Sequence, residues 1–129
     1  MTLHDKVEGY LVKMGLSFHE AAPGTWVVNH SEVGLETLFI QLAGTLVILR
    51  SHVMELPSSG REKLFHELLR LNATDMVHGA YAVDGNSVII IDTLEAETMD
   101  LEEMQASIDA VGLALAQHYR SLSAFRTRR

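Results

Sequence analysis

The sequence contains no cysteine. Disulfides, thiolate nucleophiles and thiolate metal sites are therefore excluded. Proline is almost as scarce. Pro23 and Pro57 stand alone, and no Pro- or Ser-rich stretch marks a linker between domains. Basic residues are also few: 10 Lys and Arg face 17 Asp and Glu, for a formal net charge of −7. Neutralising nucleic-acid phosphates needs clustered Lys and Arg, so nucleic acid is a poor partner. A long apolar run is missing too. The widest uncharged window, Thr37 to Leu49, includes Gln41 and Thr45 and falls short of the roughly 20 apolar residues that span a bilayer. The opening MTLHDKVEGY places Asp5, Lys6 and Glu8 where a secretory signal needs an apolar run. The expectation is a cytoplasmic chain that contacts no membrane.

What is present suits one domain over residues 1–129, with 47% hydrophobic residues and no internal repeat. Thr2 can cap a first helix, with Asp5 in its first turn and Leu3, Val7, Tyr10, Leu11 and Met14 on one face. Gly15 ends it. Leu16 to Ala22 has no decisive pattern, and Pro23-Gly24 is a turn. Trp26 to Val28 reads as a short strand and His30 to Gly34 as a loop. LETLFIQL and TLVILRSHVM read as a hairpin through Ala43-Gly44. On its second strand, Arg50 and His52 alternate with Leu49, Ser51 and Val53 and predict one wetter face.

Pro57 ends that strand, and Ser59 with Glu62 has capping-box spacing for a second helix. Leu64, Phe65, Leu68, Leu69 and Leu71 recur at helical spacing, and Asn72 suits the helix end. AYAV and VIIID flank Asp84-Gly85, a strong hairpin signal. Asp100 with Glu103 repeats the capping pattern before a third helix. Its seam is Leu101, Met104, Ile108, Val111, Leu115, His118, Leu122 and Phe125, which fits a helix lying on a sheet better than a coiled coil. The result is an α+β fold with an antiparallel five-stranded sheet, in the order helix, three strands, helix, two strands, helix.

Chemistry is thinly represented. His4 with Glu8, and Glu62 with His66, have i,i+4 spacing, but spacing alone implies no third ligand. His78, beside Gly79, is expected to hydrogen-bond loop backbone. No Gly-x-Ser-x-Gly elbow or phosphate-binding glycine pattern occurs. No catalytic residue, cofactor or metal is therefore expected. The acidic run from Asp84 to Asp109 contains no Lys or Arg and reads as a solvated loop and helix start.

Helix 2 carries a broader apolar face than a short helix needs. Leu64, Leu68 and Leu71, with Tyr81 beside them, are expected to form a homodimer or partner interface.

Leu68 to Ala73, Gly79 to Asp84, Val88 to Leu94 and Asp100 to Val111 together resemble the type III secretion chaperone-like fold, and within it the YbjN-like family of bacterial proteins. That resemblance implies a small acidic protein without cofactor or catalytic residues, acting as a homodimer and holding a protein partner. The function expected is a non-enzymatic protein-binding module, chaperone-like or regulatory, in a bacterial cytoplasm. The alternative is a small-ligand binder or an enzyme. A deep polar pocket would favour that alternative, and an exposed apolar groove the binding module.

Overall fold

The computed structural model describes residues 1–30 and 35–126. Helix α1 (Leu3–Lys13) is followed by strands β1 (Ser17–Ala22), β2 (Thr25–His30), β3 (Leu35–Ala43) and β4 (Leu46–Glu55). Helix α2 (Arg61–Thr74), strands β5 (Ala80–Asp84) and β6 (Ser87–Glu95), and helix α3 (Leu101–Ser123) complete the chain. The six strands form one sheet in the order β1-β2-β3-β4-β6-β5, and every pairing is antiparallel. The fold is α+β, as expected, with one strand more than the five predicted.

The added strand is β1. Its sequence, SFHEAA, is exposed at every position except the half-buried Phe18. An edge strand needs no alternating apolar pattern, so periodicity does not reveal it. Backbone pairing does the work instead, with Ser17, Phe18, His19 and Glu20 set against Asn29, Val28, Val27 and Trp26. Of the loop expected at His30 to Gly34, residues 31–34 lie outside the described residues, and His30 ends β2.

The caps show why the helices begin where they do. Thr2 and Asp5 form a reciprocal capping box at α1. The Asp100 carboxylate accepts the Glu103 N–H at α3. The capping box expected at Ser59 and Glu62 is absent. Gly60, with φ of 75°, occupies the N-cap of α2 and has no side chain to bond the first turn. Asn72 does not end α2 either. It lies inside the helix and uses its amide on the neighbouring strand: Nδ2 donates to the Tyr81 carbonyl at 3.1 Å, and the Tyr81 N–H donates to Oδ1 at 2.7 Å. This pair registers α2 on β5.

One face of the sheet holds the core. Trp26, Val28, Leu38, Ile40, Val47, Leu49, Val88 and Ile90 alternate inward and are buried. They meet Val7 and Leu11 from α1, Leu64, Leu68 and Leu71 from α2, and Met104, Ile108, Val111 and Leu122 from α3 in one cluster. Helix α3 packs on β3, β4 and β6, and α2 on β5. The seam read for α3 is therefore a helix lying on a sheet. Lys6 adds a polar tie, donating from Nζ to the Ala96 carbonyl at 2.7 Å and so linking α1 to the segment after β6.

Candidate functional site

Among the described residues, no helix packs on the second face of the sheet. Register places His19, Val27, Phe39, Arg50, Ile91 and Ala80 in one row across all six strands. Ile48 stands opposite Gln41 and Thr93 in the next row, and Ile89 lies between His52 and Ala82 in another. Phe39 remains 45% exposed, and Val27, Ile48 and Ile91 are half-buried. Arg50 and His52 are exposed, as their alternation predicts. The face thus carries apolar positions on either side of the exposed Arg50.

One signal in the sequence marks this face. In Leu38-Phe39-Ile40 the strand is apolar on both sides, and helices cover only one side of an antiparallel sheet here. An apolar outward residue is then left for something else to cover.

The interface residues expected on α2 have a different fate. Leu64, Leu68 and Leu71 are buried within the chain, as is Tyr81. The i, i+4, i+7 stripe is the one that faces the sheet, so it is spent on the core. Phe65 (37% exposed) and Leu69 (67% exposed), spaced i,i+4, form the apolar ridge that α2 turns to solvent.

Tyr81 takes part in a buried polar chain. Its hydroxyl and His118 Nδ1 are 2.7 Å apart, and His118 Nε2 is 3.1 Å from Asp75 Oδ2. With the ring proton on Nε2, His118 donates to Asp75 and accepts from Tyr81. Burial, aided by the nearby Asp75 charge, pushes the Tyr81 phenol well above its ordinary value. Hydrogen bonds from the Thr74 hydroxyl and then from His118 hold the Asp75 carboxyl below its usual range. Each of the three polar side chains in this relay has a partner. It reads as a strut joining α2, β5 and α3.

A second polar group forms where α1 meets the outer hairpin. His4 and Glu8 sit on one helix face, and β1 brings Glu20 beside them. His4 Nε2 and Glu20 Oε2 are 2.7 Å apart. Glu20 is fixed by the Gly24 N–H at 2.8 Å, and Glu8 by the Trp26 indole N–H at 3.0 Å. The bond to Glu20 raises the His4 pKa above its ordinary value, and the Gly24 N–H followed by His4 lowers that of Glu20. The His4–Glu8 pair was visible from spacing. Glu20 was not, because only the β1–β2 pairing brings it across. Glu62 and His66 gain no third ligand among the described residues. His78 is exposed and makes no side-chain hydrogen bond to loop backbone among the described residues, against expectation.

An open cleft of about 390 Å³ lies between Pro57–Gly60, Lys63 and Ala124–Arg126. It is no deep pocket, and it gathers no convergent acid, base and nucleophile. No helix among the described residues is long and apolar enough to cross a membrane.

The chain matches the CesT_Tir_1 family, one of type III secretion chaperones, over residues 1–128. No curated protein sequence matches it. Among solved structures, it is similar to the heterodimeric ExoU-SpcU complex from the type III secretion system of Pseudomonas aeruginosa. That match has 13% identity and a TM-score of 0.71, covering 92% of this chain and 97% of the other. It is similar to YbjN of E. coli at 13% identity and a TM-score of 0.70, covering 94% and 95%. The Yersinia pestis type III secretion chaperone SycH, in complex with a stable fragment of YscM2, matches at 11% identity and a TM-score of 0.60, covering 96% and 99%. At such identities the likeness is one of fold.

Proposed function

The chain belongs to the CesT_Tir_1 family, and on that premise we propose that it is a non-enzymatic protein-binding module, chaperone-like or regulatory. The observation that carries this reading is the helix-free side of the sheet, where Phe39 is exposed and Val27, Ile48 and Ile91 are half-buried. A partner segment laid across it removes apolar area from water at roughly 25 cal/mol per Å². Strand β1 forms an edge of the sheet beside the same face, which suits the addition of an extended segment. Among solved structures of similar fold, ExoU-SpcU is a heterodimeric complex from a type III secretion system, SycH is a secretion chaperone held with a fragment of YscM2, and HopA1-SchA is a chaperone-effector complex, which supports the same reading. The whole of residues 1–129 acts as one unit in it, in a bacterial cytoplasm.

The module is proposed to work as a homodimer. Phe65 and Leu69 on α2 supply the contact in place of the buried Leu64, Leu68, Leu71 and Tyr81. A two-fold axis would set this ridge against its own copy.

The test is capture of protein partners from the native cell with the unaltered chain and with Phe39→Asp. The reading expects a defined partner with the unaltered chain and its loss with Phe39→Asp, while circular dichroism shows both chains folded. An undiminished partner on folded Phe39→Asp protein contradicts it.

A further inference from the structure

We infer that His4, Glu8 and Glu20 form a zinc site that clips α1 to the outer β1–β2 hairpin. One ligand atom from each of the three residues lies within 4.8 Å of the others. Ligand atoms around a tetrahedral zinc at ~2.1 Å stand ~3.4 Å apart. The group therefore closes on an ion through small side-chain rotations, with no movement of backbone.

The donor set selects the ion. One imidazole nitrogen with two carboxylates suits a borderline transition ion, whereas calcium and magnesium favour oxygen throughout. Two carboxylates and a neutral imidazole also balance the charge of a divalent cation. The site is open to solvent, since His4 and Glu20 are 39% and 31% exposed at their side chains. Water can fill the fourth position.

The supporting shell is already in place. The Trp26 indole N–H orients Glu8, and the Gly24 N–H orients Glu20. Such outer partners fix ligand geometry before an ion arrives. Trp26 is fully buried, so its side of the arrangement is rigid. The ion takes the place of the hydrogen now shared by His4 and Glu20. It adds to the His4–Glu20 and Trp26–Glu8 hydrogen bonds that already join the two elements at this corner. The role is structural: it holds the edge hairpin, and with it one end of the open sheet face, against α1.

The experiment is calorimetric titration of zinc chloride into the full chain carrying no affinity tag. Expected is saturable binding of a single ion per chain, weakened more than about tenfold by His4→Ala and by Glu20→Gln. His66→Ala, at the pair that gains no third ligand, should leave it unchanged. Absent binding, or binding as tight in folded His4→Ala protein, overturns the inference. A second reading needs no variant. Trp26 is the sole tryptophan, and its ring lies 4.9 Å from that of His4. Copper(II), a quenching ion that binds such a donor set more tightly than zinc, should dim its emission, and a chelator should restore it. Unchanged emission at saturating copper overturns the site equally.

Discussion

The Tyr81 hydroxyl lies 2.7 Å from His118 Nδ1 across the joint between β5 and α3. The two residues are 37 positions apart, and both are buried. Asp75, at the C-cap of α2, completes the chain through His118 Nε2. Three elements are thus held by hydrogen bonds that none of them makes alone.

Tyr81→Phe should destabilise the protein by about 1–3 kcal/mol, because it leaves the buried His118 Nδ1 without a donor. It should also change the alkaline limb of stability. The folded phenol has a raised pKa, so its contribution is fully present below the unfolded tyrosine value. It is lost as pH rises from about 10 towards the higher folded value. Urea denaturation across that window should show a shallower loss in Tyr81→Phe than in the unaltered chain. Equal slopes would show that the phenol is not held neutral by the fold.

The core assignment predicts unequal costs along one helix. Leu68→Ala and, on α3, Ile108→Ala should each cost about 2–5 kcal/mol, since both side chains are buried. Leu69→Ala, at an exposed position, should stay within about 0.5 kcal/mol. Chemical denaturation of the three variants measures this directly. Comparable losses at Leu68 and Leu69 would mean that α2 is rotated from the orientation described.

Gly79 is predicted to resist replacement. Its φ is +75°, and a Cβ there would stand 2.8 Å from the Ile91 carbonyl oxygen. Strain in the left-handed region costs about 1–3 kcal/mol for other residues, and the close approach adds to it. Gly79→Ala should therefore lower the unfolding midpoint well beyond the effect of Gly85→Ala. Gly85 also has positive φ but no atom near the added Cβ. Equal losses would remove the close approach as a cause.

The homodimer proposal makes its own prediction. Sedimentation at micromolar concentration should give a dimer for the unaltered chain and a monomer for Leu69→Asp, with the fold retained in both. A monomer from the start, or a dimer that survives the substitution, would place the contact elsewhere or remove it.

Most elements were legible because local signals and tertiary needs agree. Thr2 with Asp5, Asp100 with its helix start, and Asp84-Gly85 between two apolar runs each mean in the fold what they mean locally. The failures have a common cause. Ser59, Asn72 and the SFHEAA segment are ambiguous until a neighbour in space is known. Gly60 takes the cap from Ser59 by adopting a left-handed backbone. Asn72 finds Tyr81, and β1 is a strand only because β2 pairs with it. Leu64, Leu68 and Leu71 are buried for a reason of the same kind. Counting apolar residues on α2 shows a surplus but not which stripe the sheet takes. The outward Phe39 and the third ligand Glu20 needed the register of the sheet.

Under the proposed function, the open sheet face holds a partner protein. Its most direct measurement is photo-crosslinking in the native cell, with a benzophenone amino acid at Phe39 and, separately, at the exposed Glu102 on the start of α3. The account predicts a discrete covalent adduct to another protein from position 39 and none of that mass from position 102. Adducts of equal yield at both positions, or none at position 39 while the chain is folded and abundant, would contradict it.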